Sequence, residues 1–300
     1  YIINLLKNKY KVAVLSRGYG RETIGFRYVH NHNSVKEVGD EALLIKQKHQ
    51  EVVVAVESKR NKGVKRIIND HPNINVILLD DGFQHRWIKA GLNILLTTYK
   101  NPFFNDYLLP FGTLRENVNG VNRADIIITS KCPTNMNPIV KKGIKSKMRL
   151  FAHQNVYFSK IKYNNWKSLI DLNTITDNKN YSIIFVSGIS DASSILEYLE
   201  NKECNISHLN YPDHYHYKLK DLEKILNKYK KDKSIKKLIL TTEKDAVKIN
   251  EFKDHLRNSK IYILPMEIEF DEAEEFDKKI LDYVRNNTGN SKISTRTNQL

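Results

Sequence analysis

The chain has 300 residues, 40% of them hydrophobic and 28% charged, with 12 glycines and 7 prolines. That excludes a disordered chain and the collagen-like and Pro-rich classes, and no apolar run approaches the ~18 residues of a membrane span. Lys and Arg number 49 against 34 Asp and Glu, a net charge of +15 that would draw nucleic acid, an anionic membrane surface or phosphorylated small molecules.

The opening, Tyr1–Lys9, has helical periodicity and no capping residue ahead of it, so it reads as a helix entered partway along, with natural chain expected upstream. Val12–Leu15, Val52–Val56, Val76–Leu79, Leu92–Leu96 and Ile126–Thr129 are short, mostly apolar and β-branched, as strands covered on both faces are. Helices are expected between them, near Glu41–His49 and Gly63–Asn69. This alternation predicts an α/β fold with a doubly wound, mostly parallel sheet. Met136–Lys167 is poor in strand signal and rich in Lys and Asn, and a domain junction is placed there. A second, smaller α/β subdomain follows. Its strands are Ile183–Val186, Leu238–Thr241 and Ile261–Leu264, and its helices Ala192–Lys202, Leu219–Tyr229 and Glu272–Val284. The expected domains are therefore residues 1–150 and 151–285, with a polar, mobile tail over 286–300.

Chemistry-bearing residues gather at strand ends. Val76–Leu79 runs into Asp80-Asp81-Gly82-Phe83-Gln84-His85-Arg86. Ligands of open α/β sheets bind beyond the carboxyl ends of strands, and a carboxylate there can hold Mg²⁺. Ser16-Arg17-Gly18-Tyr19-Gly20-Arg21 combines close-approach glycines with two guanidiniums that could clamp phosphate, although it lacks the third glycine of a dinucleotide fingerprint. Asp40 and Glu41 follow Gly39 where a helix begins, and N-capping with helix-dipole complementarity accounts for both as well as any catalytic role. Leu109–Glu116 joins turn residues to the pair Arg115–Glu116. Asp213-His214 lies in a loop and suits proton transfer near neutral pH. Thr241–Lys248 leaves a buried strand with hydroxyls and charges that could meet a nucleotide or cap the next helix. Cys132 and Cys204 form neither a disulfide framework nor a zinc pattern, which points to a reducing compartment. No Gly-x-x-x-x-Gly-Lys-Ser/Thr phosphate loop occurs in the sequence.

Eight strings, namely Ser16–Arg21, Val38–Glu41, Asp80–Arg86, Leu109–Glu116, Arg123–Asp125, Ser187–Ile189, Pro212–His214 and Thr241–Lys248, occur in one order between positions 10 and 250. Together they resemble the tetraacyldisaccharide 4′-kinase family of the lipid A pathway. The resemblance implies a P-loop kinase that moves the γ-phosphoryl of ATP, with Mg²⁺, to the 4′-hydroxyl of a lipid disaccharide 1-phosphate. It implies two α/β subdomains around a cleft, at the cytoplasmic face of the bacterial inner membrane. A membrane segment and the phosphate loop are expected upstream of Tyr1, and without that loop the chain's turnover would be low.

Carried over by position, Asp40 and His214 are the proton-transfer pair, expected in different subdomains and joined by cleft closure, and Arg115 is a third catalytic residue. Asp80, Asp81 and Glu116 are placed near Mg²⁺. Thr241, Thr242, Glu243, Lys244 and Asp245 are placed on the nucleotide side, and Arg17, Tyr19, Arg21, Gln84 and His85 toward the substrate. The basic charge then has a partner in the anionic lipid and leaflet, and no nucleic acid is expected. Two other readings remain: a basic nucleic-acid-binding module, which leaves Asp80-Asp81 and Asp213-His214 without a role, and a P-loop transferase with a soluble acceptor.

Overall fold

A computed structural model describes residues 1–288 apart from Leu172 and Asn258. In chain order its elements begin α1 (Ile2–Leu6), β1 (Val12–Ser16), β2 (Arg27–Tyr28), α2 (Val35–Val38), α3 (Asp40–Lys48), β3 (Val53–Val56) and α4 (Arg60–Asp70). Next come β4 (Val76–Leu79), β5 (Ile94–Thr98), β6 (Ile126–Ser130), α5 (Pro138–Lys147), β7 (Asn155–Tyr163), β8 (Trp166–Ser168) and β9 (Thr174–Ile175). The rest are β10 (Ser182–Ser187), α6 (Ser193–Glu200), β11 (Asn205–Asn210), α7 (Leu219–Lys231) and β12 (Lys237–Thr242), then α8 (Glu243–Ile249), α9 (Lys253–Leu256), β13 (Ile261–Leu264), β14 (Met266–Phe270) and α10 (Ala273–Thr288). The α/β class expected from sequence is the class observed. No helix among the described residues is long and apolar enough to cross a membrane.

The chain divides into two compact units, each discontinuous in sequence. One comprises Tyr1–Ala13, Val64–Lys162 and the chain from Ile268; the other comprises Val14–Gly63 and Tyr163–Glu267. The sequence reading draws one boundary, at 150/151, whereas the chain passes between the units at four places. Residues 286–288 of the expected tail continue α10, and 289–300 lie outside the described residues.

The second unit holds a six-stranded sheet in the order β11-β10-β12-β13-β8-β9, parallel from β11 to β13 and antiparallel beyond. Alternate residues of each strand point to opposite faces. Ile184 and Val186, with Ile239 and Ile261, pack against Leu222, Ile225, Ile249 and Leu256 of α7–α9. Ile183 and Phe185, with Leu238 and Leu240, pack on the other face against Trp166 and against Ile195 and Leu199 of α6. Both faces are covered, which is why the strands read as unbroken apolar runs rather than as alternation. In α7 the apolar residues Leu222, Ile225, Leu226 and Tyr229 fall on one helical stripe. Also in this unit, β2 pairs antiparallel with β3, which is followed by β1.

The first unit carries the order β14-β7-β6-β5, with β5, β6 and β7 parallel. Its core gathers Ala124, Ile127, Cys132, Met148, Val156 and Phe158. The strand-poor reading of Met136–Lys167 is corrected here: α5 and the nine-residue β7 lie within it. Lys160 and Lys162 break the apolar run of β7 after its buried half, Val156–Ser159. β11 and β14 also escape the sequence reading. Each ends its sheet, and strands covered on fewer sides carry more polar residues.

Candidate active site

Asp40 opens α3 directly after Gly39, whose φ of +87° an L side chain rarely adopts. A Cβ at Gly39 would lie 2.8 Å from the Tyr19 carbonyl oxygen, and one at Gly18 3.0 Å from that of Val38. The two glycines thus let the Ser16–Arg21 turn lie directly on the entry to α3, which places the Tyr19 ring 4.4 Å from that of His214. The N-cap of α3 is Gly39 rather than Asp40; as the first helical residue Asp40 accepts the Glu41 N–H at 2.9 Å and complements the helix dipole. It also faces His214, whose Nδ1 lies 3.2 Å and 3.1 Å from its two oxygens. The expectation that these residues belong to different subdomains is corrected: both are in the second unit and already touch. The reason is that α3 packs on α8, at the carboxyl end of the six-stranded sheet, and His214 lies in the loop after β11 at the same end.

Beneath the pair lies a charge network of Lys248 with Asp245, the latter expected on the nucleotide side. Lys248 is 3% exposed; its Nζ lies 2.9 Å from Asp245 Oδ1 and 3.6 Å from Asp40 Oδ2. Asp245, fully buried, also accepts from the Gly188 N–H at 2.9 Å and the Thr242 hydroxyl at 2.7 Å. A buried ion left alone would cost several kcal/mol; here opposite charges lie together, although neither Lys248 Nζ nor Asp245 Oδ1 has an aligned hydrogen-bond partner among the described residues. The Tyr217 ring packs over Lys248 at 5.7 Å, and burial followed by the nearby Asp245 charge pushes its hydroxyl pKa up. On the outer side, Lys244 Nζ lies 3.1 Å from His214 Nε2 and 3.2 Å from both Asp213 and Glu41. Burial works to lower the Lys244 pKa, but Asp40, Glu41 and Asp213 outweigh it and hold the ammonium above its ordinary value. A carboxylate only accepts and an ammonium only donates, so these partners assign the proton to Nδ1 and the lone pair to Nε2. Lys244 and Lys248 stand one turn apart on α8, and that spacing was the sequence signal for a shared face.

The string Thr241–Asp245 divides between buried support and a charged outer edge. Thr241 donates to the Val186 carbonyl at 2.9 Å, and Thr242 caps α8 by accepting the Asp245 N–H at 3.1 Å. Both are buried with Asp245, so the contacts of these three are to the protein interior. Glu243 pairs with Lys48 at 2.8 Å, which leaves Lys244 as the member at the mouth of the cluster. Arg17 is exposed and Arg21 half-buried in the turn that carries Tyr19.

The first unit carries the remaining candidates. Asp80 and Asp81 follow the end of β4; Asp80 is half-buried, while Asp81 is exposed with φ +47°. Phe83 packs on the unit's core and under the Arg123 guanidinium, 4.8 Å from its ring centre. Gln84 is exposed and His85 half-buried. Arg86 reaches Glu116 at 3.2 Å, and Arg123 reaches it at 2.7 Å. The Arg123 hydrogen bond, aided by Arg86 against partial burial, holds the Glu116 carboxyl below its ordinary range. Arg115 is exposed. Among the described residues no three His, Cys, Asp or Glu side chains cluster as a metal site.

A family model described as tetraacyldisaccharide-1-P 4′-kinase matches residues 1–285. A tetraacyldisaccharide 4′-kinase of Bacteroides thetaiotaomicron is 39% identical, the match covering 99% of this chain and 83% of the relative. One from Flavobacterium johnsoniae is 38% identical over 96% of this chain and 82% of its own length. Among solved structures, the "apo" form of LpxK from Aquifex aeolicus in complex with ATP superposes with a TM-score of 0.69, at 26% identity, covering 95% of this chain and 82% of that one. The chain belongs to the tetraacyldisaccharide 4′-kinase family.

Proposed function

We propose that the chain transfers the γ-phosphoryl group of ATP to the 4′-hydroxyl of a tetraacyldisaccharide 1-phosphate, with Asp40 and His214 as the proton-transfer unit. The observation that carries the assignment of roles is the Asp40–His214 contact, 3.1 Å across 174 positions, braced by Lys248 below and Lys244 above. A sugar hydroxyl is a poor nucleophile until its proton is removed, and a positioned base contributes ~10²–10⁴-fold. His214 Nε2 is the lone pair available for that proton. Asp40, bonded to Nδ1, sets the tautomer and offsets the charge of the imidazolium that forms. Lys244 occupies Nε2 in this structure. When the hydroxyl takes that place, the released ammonium stands where the transferring phosphoryl oxygens gather negative charge. Asp245 and Lys248 are positioning residues that fix the Asp40 carboxylate from behind.

Asp80 and Asp81 fit a Mg²⁺ ion. A kinase metal takes one or two carboxylates and completes its shell with water and nucleotide phosphates, so a strand-end pair suffices without a third protein ligand. Bound there, Mg²⁺ supplies charge neutralisation of the phosphates. Glu116 fits less well, since each of its oxygens already meets a guanidinium. We assign it to orienting Arg86 and Arg123 beside the exposed Arg115. Arg17, Tyr19, Arg21, Gln84 and His85 remain proposed for the anionic acceptor, and a lipid acceptor used with ATP favours the cytoplasmic face of the inner membrane. The test is phosphorylation of a tetraacyldisaccharide 1-phosphate by the protein with Mg²⁺ and ATP, the product's phosphate located by NMR. Phosphate on the 4′-oxygen supports the reading; phosphate elsewhere, or transfer to soluble sugars only, contradicts it.

A further inference from the structure

The loop from Asp106 to Val118 presents large apolar side chains to solvent although the chain carries a net charge of +15. Phe111 is 90% exposed, Tyr107 71% and Leu109 62%. These are not loose tips. Asp106 accepts the Tyr107 N–H at 2.7 Å, the Thr113 N–H at 3.0 Å and the Thr113 hydroxyl. Leu109 N–H donates to the Leu114 carbonyl at 3.0 Å, Leu114 N–H to that of Tyr107 at 3.0 Å, and Phe111 N–H to that of Leu108 at 3.0 Å. The backbone is satisfied within the loop, so its apolar residues are held outward by construction. Tyr107, Leu108, Leu109, Phe111, Leu114 and Val118 line a shallow depression of about 410 Å³.

The charges of the same region favour one partner. Its acids are occupied: Asp106 by the donors just named, Glu116 by Arg86 and Arg123. Arg115 is exposed beside the apolar tips. The outward face is therefore apolar and cationic, complementary to a layer with hydrocarbon beneath anionic headgroups. The Arg86–Glu116 pair also brings the base of the loop to the neighbour of Arg86, Trp87, which is 85% exposed. Trp and Tyr favour the headgroup level of a bilayer.

We propose that this loop is the chain's bilayer contact, with Tyr107, Leu109 and Phe111 entering the hydrocarbon–headgroup boundary of an anionic membrane and Trp87 at headgroup level. The inference rests on the acceptor being a lipid, as proposed above, and gives that reaction its surface: a kinase docked through this loop meets its acceptor where acyl chains anchor it.

The chain has two tryptophans, and Trp166 is fully buried, so the vesicle response of Trp emission reports Trp87. The experiment titrates the protein with phosphatidylglycerol–phosphatidylcholine vesicles that contain no acceptor. The expected result is a blue shift of Trp emission together with co-sedimentation, both weakened by salt. Phe111→Ser combined with Leu109→Ser should lower vesicle affinity about tenfold or more at unchanged circular dichroism. Its turnover on a short-chain, water-soluble acceptor analogue should stay at the wild-type value. Vesicle affinity equal in wild type and variant, or vesicle binding without a Trp shift, would overturn the proposal. Self-association lost in the variant, with no vesicle binding by wild type, would overturn it in favour of a protein contact. Loop-dependent vesicle binding without any kinase activity would leave the docking surface standing and remove the proposed reaction instead.

Discussion

Asp40 and Lys248 are each 3% exposed and cross-braced by His214 and Asp245, whereas Asp81, Gln84 and Arg115 of the other unit stand in solvent. The contrast fits the roles proposed for the two sets of residues. A proton moves only over hydrogen-bond distances, so base and orienting carboxylate must be fixed before substrate arrives, and burial keeps water from competing for their contacts. Phosphate and metal bring their own charge. Groups proposed to receive them can wait in water, where an unpaired ion costs little.

The largest expected effects lie on the buried side. Asp40→Asn and His214→Gln should each lower kcat by ~10²–10⁴ with little change in the KM for ATP, read by steady-state kinetics. A comparable rise in KM with kcat intact would move both residues to binding. Lys248→Met should cost about 3–5 kcal/mol in urea unfolding, because it leaves Asp40 and Asp245 facing each other without their shared cation. A loss under 1 kcal/mol would mean that the network does not depend on that ammonium.

On the open side, Asp81→Asn, which tolerates the left-handed backbone at this position, should leave urea stability within ~0.5 kcal/mol of wild type while raising the Mg²⁺ concentration needed for half-maximal rate. An unchanged Mg²⁺ profile would transfer the metal role to Asp80. The smallest effect concerns Glu116. Its folded pKa lies below its ordinary value, so its pairing with Arg123 and Arg86 contributes stability above the ordinary carboxyl pKa and loses it as pH falls through the folded one. Arg123→Ala should bring the carboxyl titration, followed by NMR, up toward the ordinary value. No movement would assign the shift to another donor.

The buried cluster of the second unit was only partly legible in sequence, whereas the candidates of the first unit rest on local patterns, for physical reasons. Asp80-Asp81 terminates an apolar strand, a local pattern that needs no fold to be seen. Asp40 and His214 could be paired only through the resemblance, since nothing local links residues 174 positions apart. Their early contact was missed because the packing of α3 on α8 is tertiary, and the same packing makes Lys248 a buried ion when its sequence neighbourhood looks like any exposed helix. β10 and β12 were readable because covering both faces leaves unbroken apolar runs. β11, which is an edge, and β7, whose second half carries two lysines, were not.

The account stands on Asp40 and His214 working as one unit. Single-turnover rates of phosphoryl transfer to the 4′-hydroxyl, measured for Asp40→Ala, His214→Ala and the double variant with ATP and Mg²⁺ saturating, test it directly. The predicted result is that the double variant is scarcely slower than the slower single, because either change removes the whole proton pathway. Losses that multiply would mean two independent roles, and Asp40 would then be a helix-terminal carboxylate that happens to touch a histidine.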